Sequence, residues 1–233
     1  MRKKLLVIIT IIALLTITGC KNKKEDNKEQ KVGGWELVLT DKQVNITDEE
    51  LNIFNNASKK YNDLKLEPVA LLAEQVVAGK NYMFFAKAKN EYKNETTYKM
   101  VVVYNDLKNN SSIKSVEDFD ISKYAGEESP KKYSTSVGTW TINGTGKALM
   151  LDDEKVQYAF DNASSNMDSM LFNPICLIGK QIVSGTNYAI LTYGKGANGE
   201  DDESVYVATI YENLDGESEM TYLYYINPID FSN

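Results

Sequence analysis

Few residues in this chain could do covalent or metal chemistry. None of the 233 residues is a histidine, which removes Ser-His and Cys-His nucleophile pairs and every histidine-ligated metal site. Two cysteines remain, Cys20 and Cys176. Cys176 sits in the apolar run Pro174-Ile175-Cys176-Leu177-Ile178, where an unactivated thiol is expected to be buried and inert. Gly144-Thr145-Gly146-Lys147 has the flavour of a phosphate loop. Its first glycine is missing, since Thr141 and Ile142 stand there, and Ala148 replaces the magnesium-binding hydroxyl. Glu200-Asp201-Asp202-Glu203 is acidic but lacks the alternating ligand spacing of a calcium loop. Paired carboxylates could run glycosidase chemistry without histidine, but no acid stands isolated in an apolar setting. A carbohydrate-active or other enzyme is therefore the remote alternative, and no catalytic residue, metal or cofactor is expected.

Cys20 has a different chemistry. Arg2, Lys3 and Lys4 precede an apolar run from Leu5 to Ile17, shorter than the roughly 20 residues a membrane-crossing helix needs. The run ends in Ile17-Thr18-Gly19-Cys20, which resembles the bacterial lipobox. The resemblance implies a signal peptide over 1–19, cleavage before Cys20, and lipidation of the Cys20 thiol with a diacylglyceryl group. Two acyl chains anchor stably, so the expected localisation is extracytoplasmic, on a bacterial membrane. Residues 20–32 are almost all charged or amide and read as a solvated tether. Cleavage leaves 23 basic residues against 33 acidic ones and moves the net charge from −7 to −10. A nucleic-acid partner, which needs a basic footprint, is not expected.

An internal repeat organises the rest. Pro68 to Tyr82 recurs as Pro174 to Tyr188, and Asn56-Ala57-Ser58 as Asn162-Ala163-Ser164. Gly33-x-Trp35 recurs as Gly138-x-Trp140, and Tyr104-x-x-Leu107 as Tyr211-x-x-Leu214. A period near 106 residues suits a duplicated small domain rather than a solenoid unit. The expected units are 33–122 and 137–233, joined by a polar linker over 123–136.

Within each unit the elements that must position any site are a helix and a set of hairpins. Thr47-Asp48-Glu49-Glu50 is a capping-box pattern, followed by Leu51, Phe54, Ala57, Tyr61 and Leu64 at helical spacing. In the second unit, Asp152-Asp153-Glu154 precedes Val156, Phe160, Ala163 and Met167. Alternating strands follow, with a hairpin tip at Val77-Ala78-Gly79-Lys80. The fold class expected is α+β, each unit one helix packed on an antiparallel four- to five-stranded sheet. The many strand tyrosines suggest a sheet with one face packed and one partly wet, and each unit is expected to fold alone.

Gln75-Val76-Val77-Ala78-Gly79 and Gln181-Ile182-Val183-Ser184-Gly185 resemble the Gln-x-Val-x-Gly motif of the cystatins. The Asn-Tyr that follows each, the glycines Gly33, Gly34 and Gly138, and the order of helix and hairpins are similar too. The resemblance covers about 185 of the 233 residues. It implies a wedge built from the glycine segment and two hairpin loops, which in that family blocks papain-like cysteine peptidases. By it, the partner-binding residues are Gly33, Gly34, Gln75, Val76, Val77, Ala78 and Gly79 in the first unit. In the second they are Gly138, Gln181, Ile182, Val183, Ser184 and Gly185.

The second hairpin loop departs from the family, whose Pro-Trp anchor is absent. That loop reads as Asn109-Asn110-Ser111-Ser112 in one unit and Asp215-Gly216-Glu217-Ser218-Glu219 in the other. Trp35 and Trp140 follow the glycines closely and suit a core. The function expected is therefore non-enzymatic binding of a protein partner through the hairpin loops. Inhibition of a papain-like cysteine peptidase is the alternative.

Overall fold

A computed structural model describes residues 33–38, 46–61, 64–90, 92–93, 95–126, 138–144, 151, 153–198 and 203–231. The expected signal peptide over 1–19, Cys20, the expected tether, residues 127–136 of the expected linker, Thr145 to Lys147 of the phosphate-loop-like segment and Glu200 to Asp202 lie outside them. Among the described residues, no helix is long and apolar enough to cross a membrane.

Two antiparallel five-stranded sheets account for most of the described chain. The first runs β1 (Trp35–Leu37), β2 (Lys65–Val77), β3 (Gly79–Asn90), β4 (Glu95–Asn105) and β5 (Ser111–Asp118) in simple order. The second repeats that order with β6 (Trp140–Ile142), β7 (Met170–Val183), β8 (Gly185–Gly196), β9 (Ser204–Glu212) and β10 (Ser218–Tyr225). A helix follows the first strand of each: α1 (Asp48–Ser58) and α3 (Glu154–Ser165). A short α2 (Ile121–Tyr124) follows β5, and a single turn of 3-10 helix (Pro228–Phe231) follows β10. The chain is thus mixed α+β and mostly sheet.

Local chemistry explains the elements. At the start of α1, Thr47 Oγ1 accepts from Glu50 N and Glu50 Oε2 accepts from Thr47 N, the reciprocal capping box. The helix stops at Ser58, so Tyr61 and Leu64 fall beyond it, and Leu51 is exposed. The face that is buried carries Ile53, Phe54 and Ala57 instead. α3 begins at an Asp153 cap and buries Val156, Ala159, Phe160 and Ala163, while Met167 lies past its end. β2 and β7 run through Pro68 and Pro174, where the pairing register shifts. A bulge is one of the few places in a sheet that tolerates a residue with no N–H.

The burial pattern corrects the expectation of a half-wet sheet. Neighbours along each strand point to two different apolar clusters. Phe84 and Val101 join Phe54 of α1, whose ring meets that of Phe84 edge to face at 4.9 Å. Leu177, Ile190 and Ala208 join Phe160 of α3 in the same way. The opposite faces meet each other. Val69, Leu72, Phe85 and Met100 of the first sheet share one cluster with Ile175, Ile178, Leu191 and Val207 of the second. Cys176 lies in that cluster, fully buried.

Polar contacts cross the same boundary. Tyr98 Oη donates to Asn143 O at 2.7 Å, and Thr209 Oγ1 donates to Ala125 O at 2.7 Å. Tyr124 and Tyr224 rings meet at 5.2 Å. The boundary expected after residue 122 falls inside α2, whose Ile121, with Ala125 just beyond it, is buried in the shared cluster. One face of each sheet is thus buried against the other sheet. The uninterrupted apolar runs Val69 to Ala73 and Ile175 to Ile178 mark strands covered on both faces.

Candidate functional site

In each sheet the first hairpin, the glycine segment and the second hairpin loop come together at one end. Val77 pairs with Gly79 across Ala78, and Val183 with Gly185 across Ser184. The glycines are required. Gly79 has φ +119 and Gly185 φ +127, and a Cβ on either would run into a backbone carbonyl, of Asn105 or of Glu212. The tips are tied down from the neighbouring strand. Tyr104 Oη donates to Ala78 O and Tyr211 Oη to Ser184 O, both at 2.5 Å.

The glutamine of each motif is a clamp. Gln75 Nε2 donates to Gly33 O at 3.0 Å, and its Oε1 accepts from Asn81 Nδ2 at 2.6 Å. Gln181 does the same with Gly138 O at 2.8 Å and Asn187 Nδ2 at 2.7 Å. Gly33 and Gly138 also donate their own N–H groups, to Val76 O at 3.0 Å and Ile182 O at 2.8 Å. Gln75, Gln181, Gly33, Gly138, Gly79 and Gly185 are therefore held by folding contacts. The motif's Asn is explained by the same clamp. What faces solvent is Gly33, Gly34, Val77 (36 % exposed) and Ala78 in the first repeat, and Ile182 (53 %) and Ser184 in the second. Val76 and Val183 are half-buried.

The second hairpin loop lies earlier than expected. Ser111 and Ser112 belong to β5, and Ser218 and Glu219 to β10. The turns are residues 106–110 and 213–217. Each is knit by its first side chain. Asp106 Oδ1 accepts from Lys108 N and Asn110 N at 2.8 Å, and Asn213 Oδ1 accepts from Asp215 N and Glu217 N at 2.9 Å. Both turns present a leucine almost wholly to solvent, Leu107 at 84 % and Leu214 at 86 %. An apolar tip is thus present in each loop, though it is neither Pro nor Trp. The repeated Tyr-x-x-Leu held the signal: the tyrosine ties the first hairpin and the leucine tips the second. Trp35 and Trp140 are half-buried against the shared core.

Electrostatics differ between the two ends. At the first, Lys80 pairs with Glu74 at 2.8 Å and lies over the Tyr82 ring. Burial lowers the Lys80 pKa, but Glu74 outweighs it and leaves the ammonium above the usual lysine value. At the second, a buried acid that sequence reasoning missed, Glu212, accepts from Tyr188 Oη at 2.7 Å and from Lys155 Nζ at 3.0 Å. Burial, then the hydrogen bond to Glu212, pushes the Tyr188 phenol well above its ordinary range. This group fastens β9 to β8 and α3. A cleft of about 790 Å³ runs between the halves, lined by Tyr98, Asp118 and Lys123 on one side and Gly138, Trp140 and Gln181 on the other.

A scan of the chain against protein-family models finds no match, and neither does a search of curated proteins.

Proposed function

We propose that this is a non-enzymatic, extracytoplasmic binding protein with two cystatin-like units, each a helix on a sheet, anchored to a bacterial membrane by lipid on Cys20. It engages protein partners through the hairpin tips. One observation carries the reading. The two repeats act as an alignment of the chain with itself. Residues shared by both at this end have folding contacts: Gln75/Gln181, Gly79/Gly185, Asn81/Asn187 and Tyr104/Tyr211. Leu107 and Leu214 are also shared, yet 84 % and 86 % exposed. A large apolar side chain kept in both repeats without burial is explained by burial against a partner.

The test is retention of envelope proteins of the producing bacterium by the immobilised chain. The wild type should hold at least one protein that the Leu107→Asp, Leu214→Asp double variant releases while melting at the same temperature. Equal retention by both would remove the tips from the function.

The second reading is inhibition of a papain-like cysteine peptidase. It is favoured by the gathering of the glycine segment, the first hairpin and an apolar second loop at one end of a sheet. Full papain activity in tens of micromolar protein would discard inhibition and leave the binding reading intact.

A further inference from the structure

The two tips share a backbone but not a charge. In the first turn the carboxylate of Asp106 is taken up by Lys108 N, Asn110 N and Asn110 Nδ2. Leu107 stands between that anchored carboxylate and the exposed cation Lys108. In the second turn a neutral Asn213 does the knitting, and the exposed ions around Leu214 are Asp215, Glu217 and Glu219. The residue after the leucine has changed sign between turns of the same hydrogen-bonded shape.

The tips also stand far apart. Thr97 and Asp118 line the same cleft as Gly138 and Gln181, so the binding end of the second sheet sits beside the opposite end of the first. Thr97 lies eight residues along β4 from Asn105, roughly 27 Å at about 3.4 Å per residue. The two leucines therefore leave the molecule from different ends.

We propose, resting on the reading of the tips as binding elements, that one chain holds two different proteins at once, and that the partner at Leu214 offers a leucine-sized apolar pocket rimmed by lysine or arginine. Like charges facing each other exclude the wrong partner, and opposite ones steer the right one. The same rim would repel Lys108, which keeps the Leu214 partner off the first tip.

The experiment places the photo-crosslinking residue p-benzoylphenylalanine at position 107 or at position 214 of the full chain in the producing cells. Adducts at the two positions should be different proteins, and a native complex should contain both. Asp215→Lys with Glu219→Lys leaves the Asn213–Glu217 contact alone. It should cut the adduct at 214 roughly tenfold and leave the adduct at 107 unchanged, with the melting temperature confirming an intact fold. The same protein at both positions, no adduct at 214 alone, or an adduct at 214 indifferent to the charge reversal would overturn the proposal. No adduct at either position would overturn the reading of the tips itself.

Discussion

The first and second repeats match in register down to their irregularities. Both second strands shift register at a proline, and both last strands carry a bulge at the matching position, Lys114 and Thr221. Against that background the differences are informative. Where Lys99 pairs with Asp118 in the first sheet, Tyr206 faces Tyr225 in the second, rings 6.1 Å apart. Where Asn105 bonds Ser111 in the first, Glu212 bonds Tyr188 and Lys155 in the second. Different chemistry thus closes the same outline at the sheet's periphery. The clamp of Gln, Asn, Gly and Tyr at the hairpin tips has not varied. A shared residue with a contact reports the fold, and the proposed binding rests on the shared but exposed Leu107 and Leu214.

The largest effect should come from splitting the pair. Residues 33–126 and 138–231 expressed apart each expose half of the shared core and should be unfolded or aggregated by circular dichroism, whereas the whole chain melts in one transition. A cooperative melt from either piece would show that the outward clusters around α1 and α3 suffice. Next come the hairpin glycines. Gly79→Ala and Gly185→Ala each meet a carbonyl at positive φ and should cost roughly 1–3 kcal/mol in chemical denaturation. Equal costs at both sites are expected because the clash is the same.

The clamp glutamines should separate the repeats. Gln181 is buried and Gln75 is half-exposed. Gln181→Ala leaves its partners unsatisfied away from water and should cost about 1–3 kcal/mol, whereas Gln75→Ala should cost about 0.5–1.5 kcal/mol. A reversed order would deny that burial sets the difference.

Much of this was legible in the sequence. The repeat, the capping box at Thr47 and the hairpin tips at Val77 to Lys80 follow from spacing and residue type alone. Three features were not. The pairing of the two sheets depends on what covers the second face, and a strand's pattern says only that something does. The loop boundary at Asn105 depends on Asp106 capturing two amides, which outweighs the turn preference of Asn109-Asn110. The roles of Gln75 and Gln181 depend on Gly33 and Gly138, 42 and 43 residues away, a distance no local pattern spans.

Acid should loosen the first turn by a smaller effect. Hydrogen bonds from the Asn110 side chain and backbone hold the Asp106 carboxyl below the usual aspartate range. Its contribution is full above the ordinary value, about 3.9, and is lost as pH falls through the depressed one. Amide resonances of Lys108 and Asn110 should move with that midpoint, and in Asp106→Asn that movement should vanish. The same movement in the variant would contradict the assignment. The smallest stability effect belongs to the exposed tip: Leu107→Asp should change stability by no more than about 0.5 kcal/mol.

Hydrogen–deuterium exchange of the whole chain, free and bound to a protein it captures, tests the central claim most directly. The account predicts new protection confined to residues 76–78 and 106–110, to 182–184 and 213–217, or to both ends. Protection on the helices or the outward sheet faces, with the four tip segments unchanged, would contradict it.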